Sequence, residues 1–366
     1  MPSPIPRPPI LTTPADQHGA IAPAELERLG LRPDAVIDFS LSVNPYGPSP
    51  AVQQALARVP LDRYPDPEAL ALRRALAARL HRPIDQIIAG NGSAELLWLV
   101  ALAFLEAGDR ALIIGPTFGE YARAARLMGA EVISWRADAG DGFAIRPDAI
   151  ARILDRARPK ILFLCHPNNP TGQLAPLDAL ADWAEAHPAT LFVVDEAYLP
   201  FASGASSALT LDAPNILILR SLTKAHALAG LRLGYAVGDD AIVGALRRVQ
   251  PPWSVNALAQ AAGVAALADV GHLERTLARL AAAKAALAAS LYEQGWQPQP
   301  SAAHFFLLPV GDAAACRSAL LEHGVVVRDC ASFGLPDHIR IAARRPEENK
   351  RLLAALAAFF CQPVAG

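Results

Sequence analysis

The stretch TLFVVDEAY, Thr190 to Tyr198, followed by ILILRSLTK, Ile216 to Lys224, holds two short apolar runs that each stop at charged residues. Neither alternates polar with apolar, so each reads as a strand buried on both faces, as in a mostly parallel sheet clothed with helices. Working outward, runs of the same kind recur at 86–89, 111–114, 132–135, 160–165 and 232–237, beside those at 190–195 and 216–219, with amphipathic helical stretches between them. This alternation predicts an α/β fold with a mostly parallel seven-stranded sheet. Ligands of such sheets bind beyond the carboxyl ends of the strands, so chemistry is sought in the residues that follow each run.

Helix ends are also legible. Asp66 is placed to cap a helix with Pro67 at its first position, and Leu72, Leu76 and Leu80 recur every fourth residue on one face, with Arg73 and Arg74 off it. Past about Arg247 the pattern changes to long Ala/Leu-rich helices at 256–268 and 272–293, then strands at 304–308, 325–328 and 339–342. Two domains are expected. The large one spans 45–247, and the smaller α+β one gathers an N-terminal arm, 1–44, with 248–366.

The chain has 366 residues, 52% hydrophobic and 19% charged, which excludes a disordered or solvating chain. With 33 Lys and Arg against 35 Asp and Glu, the net charge of −2 gives no bulk attraction for nucleic acid or an acidic membrane. Any phosphate is therefore read locally. The longest apolar runs fall far short of the ~20 residues that cross a bilayer, and the proline-broken N-terminus has no signal-peptide core, so a cytoplasmic protein is expected. Four scattered cysteines form no CxxC pair and nine histidines show no ligand spacing, so no metal site is expected.

Asp195, at the end of a buried strand, is costly without a cationic partner, although an acid there also serves to hold magnesium or a loop amide. The next strand delivers Ser221, Thr223 and Lys224, with Arg232 eight residues after the lysine. Hydroxyls, a guanidinium and a helix N-terminus make a dianion site, and the turn Gly90-Asn91-Gly92-Ser93-Ala94 offers that N-terminus through the amides of Ser93 and Ala94. The same turn also reads as a plain strand-to-helix connection; it has neither the dinucleotide-binding nor the P-loop spacing. A lysine in a phosphate cradle, facing a carboxylate, suits imine formation with an aldehyde cofactor that carries a phosphate and a pyridine nitrogen. Asp195 then keeps that nitrogen protonated, Tyr198 and Asn169 donate to the ring hydroxylate, and Phe118 stacks on the ring. Tyr121 and Tyr235 read as core. Trp253 and Asn256 read equally as packing and capping residues or as site residues.

The chain carries, in this order, NPYGPSP (Asn44 to Pro50), RYPDP (Arg63 to Pro67), GNGS, PNNPTG (Pro167 to Gly172), DEAY, SLTK and GLRLGY. With these motifs it resembles, from about Asp38 to the C-terminus, the fold-type I pyridoxal-phosphate enzymes of the aminotransferase class I/II group. The resemblance implies pyridoxal 5′-phosphate as cofactor, held by Lys224, with Asn169 touching its hydroxyl or the substrate carboxylate. It also implies that Tyr64 reaches the cofactor phosphate of a partner subunit, hence a homodimer with shared active sites. Two subfamilies compete. Histidinol-phosphate aminotransferases share NPYGPSP and the GLPxxIRI pattern (Gly334 to Ile341). Threonine-phosphate decarboxylases of cobalamin synthesis share the segments at His18 and Gly19, at Asp38 to Ser40, LRSLTK, PWSVNALA and VRDCAS. Five segments against two lead to the expectation of a decarboxylase, a lyase converting threonine phosphate to aminopropanol phosphate and carbon dioxide, with the aminotransferase as alternative. Either way the substrate is a small phosphorylated amino compound, and His18, Gly19, Ser42, Asn44, Asn169, Arg328 and Arg340 are its candidate contacts. Ala20 departs from the decarboxylase pattern, and Ser42 replaces an asparagine expected in both subfamilies. A regulatory protein that kept the fold without activity is a third reading, opposed by the presence of Lys224, Asp195, Asn169 and Arg232 together.

Overall fold

A central sheet of seven strands organises the computed structural model of the chain, which describes residues 4–15, 19, 21 and 23–360. In chain order the strands are β1 (Ile37–Asp38), β2 (Ile87–Gly90), β3 (Arg110–Gly115), β4 (Glu131–Arg136), β5 (Ile161–Cys165), β6 (Leu191–Asp195), β7 (Ile216–Ser221), β8 (Gly234–Val237), β9 (Phe305–Pro309), β10 (Val325–Val326), β11 (Arg328–Asp329) and β12 (His338–Ala342). The large sheet has the order β2-β8-β7-β6-β5-β3-β4. All its pairings are parallel except those of β8, which runs antiparallel to both neighbours.

The unbroken apolar runs follow from burial on both faces. Ile113, Phe163, Val193 and Leu217 point to one side, where helices Ser93–Phe104, Glu120–Leu127 and Asp240–Val249 bring Leu97, Val100, Tyr121, Ala124, Val243 and Leu246. Leu112, Leu162, Phe192 and Ile218 point to the other, against Ile150, Leu154, Leu180 and Trp183 of helices Pro147–Ala157 and Leu177–Ala186. Each fully buried aliphatic side chain stabilises this layering by roughly 1.5–3 kcal/mol.

A three-stranded antiparallel sheet, β11-β12-β9, and the parallel pair β1-β10 form a second body with the long helix Val270–Glu293 and helices Ala313–Glu322 and Pro346–Phe360. Its core joins Phe39 from the N-terminal segment to Leu280, Leu287, Phe306, Val325 and Ile341. The hydrophobic clusters divide the chain later than the expected boundary at 248. Helix Ala257–Ala268 buries Ala259, Ala262 and Ala266 against Leu72, Leu76 and Leu233, so it packs with the large sheet.

Three local expectations are corrected. The helix near Asp66 begins at Leu70; Asp66 accepts from the amides of Glu68 and Leu70, closing a turn ahead of it. Arg73 is buried, donating to the carbonyls of Ile84 and Ile87 and pairing with Glu68, because its long side chain reaches the strand edge beside it. The strand expected at 325–328 is two strands: Val325–Val326 pairs with β1 and Arg328–Asp329 with β12, the chain switching sheets at Val327.

Candidate active site

Strand direction assembles the site. The parallel strands β5, β6 and β7 all deliver their carboxyl ends to one edge, where Cys165, Asp195 and Leu219 lie in register. Because β8 runs the other way, its start pairs Gly234 with both Ser221 and Gly90, so the loop that precedes it carries Arg232 to that same edge.

Asp195 is buried there. Its Oδ2 accepts the phenol proton of Tyr121 at 2.7 Å and its Oδ1 the amide of Ala197 at 2.9 Å. Burial pushes the carboxyl above its ordinary range, while the Tyr121 and Ala197 hydrogen bonds and the charge of Lys224 pull it down. A cation bound beside Asp195 is thus favoured by a carboxylate that water does not solvate. Tyr121 stacks on Phe163 at 5.3 Å and meets Phe118 edge-on at 5.6 Å. Burial and the neighbouring Asp195 push its phenol well up, which keeps it a proton donor.

Ser221 caps the short helix Leu222–Ala225: its Oγ accepts from the amide of Thr223 at 3.2 Å and lies 2.6 Å from the Thr223 hydroxyl. Lys224, on that helix, stands with Nζ 5.9 Å from the centroid of the Tyr198 ring. Across from it helix Ser93–Phe104 starts after Gly92, whose φ of +82° is a left-handed conformation that suits glycine. A Cβ at Gly92 would lie 2.7 Å from a terminal nitrogen of Arg232, and one at Gly234 would lie 2.3 Å from the amide nitrogen of Ser93. Two glycines therefore let Arg232 close on the turn that carries Ser93 and Ala94.

These groups line a cavity of about 120 Å³ that holds Ser93, Ala94, Phe118, Tyr121, Asn169, Asp195, Tyr198, Thr223, Lys224 and Arg232 on its walls. A wider cavity of about 350 Å³ shares Lys224, Asn169, Tyr198, Phe118, Ala94 and Arg232 and adds Gly19, Ser42, Glu120, Arg328 and Arg340. Arg328 and Arg340 are direct cross-strand partners on β11 and β12. Arg340 is buried, donating to Oδ1 of Asn169 and, at 2.8 Å, to the carbonyl of Ser40. Arg328 donates to the Ser332 hydroxyl at 2.7 Å. Nε of Arg340 and Oγ of Ser42 are buried without a hydrogen-bond partner, so the wall of the wide cavity keeps polar capacity for a ligand.

The donor set fits pyridoxal phosphate. Helix-start amides, Arg232 and the Thr223 hydroxyl suit the phosphate, Asp195 a ring cation, Tyr198 and Asn169 a ring oxygen, and Lys224 an aldehyde. Among the described residues, His, Cys, Asp and Glu form no group of three or more suited to a metal ion. No described helix is long and apolar enough to cross a membrane.

Not every candidate comes to the cavity. Asn44 has its amide group spent elsewhere: Nδ2 donates to the carbonyl of Ala225 and to the Thr276 hydroxyl, both at 2.9 Å, and Oδ1 accepts from Tyr46. It ties the lysine segment to the long helix, and its substrate role is withdrawn. Ser221 stands behind Thr223 as a cap and lines neither cavity. Tyr64 is 80% exposed and stacks on Trp253 away from both cavities of its own chain. Gly19 lies beside Ser40 at the cavity, and His18 and Ala20 fall outside the described residues. Two residues were missed. Tyr121, read as core, also holds Asp195, a partner 74 residues away that no local pattern signals. Glu120, buried beside Trp98 and Arg123, lines the wide cavity.

The family model for aminotransferase class I and II matches residues 34–356. A histidinol-phosphate aminotransferase of Symbiobacterium thermophilum is 43% identical over 88% of this chain and 90% of that relative. Another, from Roseiflexus castenholzii, is 37% identical over 93% and 95%. The crystal structure of the histidinol-phosphate aminotransferase of Sinorhizobium meliloti in complex with pyridoxal-5′-phosphate superposes with a TM-score of 0.84 at 26% identity, covering 96% of each chain. These relatives overturn the expected decarboxylase, and with it the lyase and cobalamin assignments. The five segments that favoured it are short, and local likeness of that kind is outweighed by identity along nearly the whole length.

Proposed function

The chain belongs to the aminotransferase class I and II family and is a pyridoxal-phosphate-dependent aminotransferase, and within that activity we propose that it exchanges the amino group between histidinol phosphate and 2-oxoglutarate. The observation that carries this reading is the Arg328 and Arg340 pair. Two guanidinium groups in direct cross-strand register, one buried with an unpartnered Nε, open onto the cavity that holds Lys224. Two such forks suit a phosphate dianion, and the same arginines serve a dicarboxylate in the second half of the exchange.

When bound, the cofactor supplies an electron sink for the bonds at the substrate's Cα. The chain's own residues do the rest. Asp195 holds a proton at the ring nitrogen, and Tyr121 keeps that carboxylate in place. Ser93, Ala94, Thr223 and Arg232 bind the cofactor phosphate, and Phe118 faces the ring. Lys224 Nζ holds the cofactor aldehyde between turnovers and moves the proton at Cα during them. Tyr198 and Asn169, the latter held by Arg340, donate to the ring oxygen. Tyr64 extends from the surface to the cofactor phosphate of a second copy, giving a homodimer with shared sites in the cytoplasm.

The test is direct. Purified protein loaded with cofactor should form glutamate from 2-oxoglutarate in the presence of histidinol phosphate. A loaded enzyme that turns over other amino donors but not this one would overturn the substrate assignment and leave the aminotransferase standing.

A further inference from the structure

Trp253 stacks on Tyr64 with ring centroids 4.6 Å apart and planes 25° from parallel, while the two side chains remain 45% and 80% exposed. Within its own chain such an aromatic pair buries little, so the packing of that chain's core does not account for it. Trp253 is also held at φ +54°, a left-handed conformation that bulky residues rarely adopt. Strain at an exposed tip persists where the surrounding chain over-determines it, and here it does. Ser254 donates to Oε2 of Glu95 at 2.5 Å, and the same oxygen accepts the amide of Asn91 at 2.7 Å in the phosphate-binding turn. Gln250 donates to the carbonyl of Ala89 at 2.8 Å. Asn256 caps the next helix and donates to the carbonyl of Leu231, beside Arg232. The other half of the pair is tied as well, since Gln260 donates to the carbonyl of Asp66 at 2.8 Å.

We propose that Trp253 is a positioning residue for the cofactor phosphate of the partner subunit: anchored on its own chain's phosphate turn, it fixes the exposed Tyr64 phenol in the direction from which it reaches across. The inference rests on the shared-site reading given above and names the part that makes it work. An 80% exposed tyrosine on a loop loses rotamer freedom when it binds a distant phosphate; a stacked indole removes that freedom beforehand.

The experiment titrates pyridoxal phosphate, and separately pyridoxal, into the cofactor-stripped dimer, with subunit mass followed by sedimentation. Trp253→Gly deletes the ring while suiting the left-handed backbone, and Trp253→Phe keeps a stacking ring. Trp253→Gly should weaken pyridoxal phosphate about fivefold, the order of one aromatic pair, and leave pyridoxal unchanged. Trp253→Phe should bind both as the parent does. Combined with Tyr64→Phe, Trp253→Gly should add nothing further, because the oriented hydroxyl is already gone. If Tyr64→Phe weakens the phosphate form while Trp253→Gly does not, or if the two losses multiply, the positioning role is wrong and the shared site stands. If Tyr64→Phe changes nothing in a dimer of unchanged mass, the shared site itself fails and the inference goes with it.

Discussion

Tyr121 donates its phenol proton to Oδ2 of Asp195 at 2.7 Å, across 74 residues of sequence and with both side chains buried. Removing that donor in Tyr121→Phe leaves the ring stack on Phe163 intact, so the fold should hold. Asp195 then loses a group that lowers its pKa, and the acid limb of the rate profile should move to higher pH, with kcat down about tenfold for the loss of one charge-assisted hydrogen bond. Measured pH profiles that coincide would show that Tyr121 only packs.

Lys224→Ala is expected to abolish turnover and the absorption band of lysine-bound cofactor, since among the described residues no other amine lines either cavity. A variant with an unchanged cofactor spectrum would remove Lys224 from the site.

Arg340→Ala should raise KM for histidinol phosphate about a hundredfold, as expected when one side of a charge-assisted pair is lost, while cofactor still binds. It also leaves the carbonyl of Ser40 and Oδ1 of Asn169 without their donor, at a stability cost of about 1–3 kcal/mol. Steady-state kinetics beside a cofactor titration separates the two effects; equal losses in both would mean a structural role alone.

Glu196 follows Asp195 in sequence but belongs to the scaffold. Fully buried, it accepts from Arg220 at 2.8–2.9 Å and from the Ser207 hydroxyl and the amide of Ala208. Glu196→Ala leaves Arg220 largely buried without a counter-charge and should destabilise the protein by about 3–5 kcal/mol. Urea midpoints at fixed cofactor concentration measure this, and a shift under 1 kcal/mol would contradict it.

Two histidines make the fold acid-sensitive. Burial holds His226 down at about 4, helped by Arg79 and His272, and holds His304 well below its ordinary value, helped by Arg340, Lys224 and Lys284. Both are neutral when folded and take up a proton on unfolding below about pH 6.5, so stability present above that pH is lost as pH falls toward 4. His226 alone accounts for about 2–3 kcal/mol of that fall. Denaturation midpoints that stay level between pH 7 and 5 would contradict the assignment; His226→Gln should flatten the curve.

What was legible in the sequence was whatever local pattern dictates. Strands buried on both faces must be unbroken apolar runs, and the residue where such a run meets polar chain must lie at the sheet's edge. Asp195, Lys224 and the turn at Ser93 were readable for that reason, and their strands came within two residues of the observed bounds. The helix at Leu70 was misplaced because Asp66 and Pro67 satisfy capping rules that also close a turn. Arg73 and Asn44 were misread because their partners are set by packing: Asn44 finds its acceptors 181 and 232 residues away.

The sequence by itself determined the sheet and which polar residues stand where its strands end, since both depend on local periodicity and on residue chemistry at strand ends. Tertiary structure alone decided that β8 runs antiparallel and so returns Arg232 to the turn at Gly92. It alone decided that Tyr121 holds Asp195, that Arg340 faces Arg328 across a second sheet to meet Asn169, and that Trp253 stacks on Tyr64. These pairings join residues far apart in the chain, and no local pattern distinguishes a buried tyrosine that fills space from one whose proton is directed at a carboxylate.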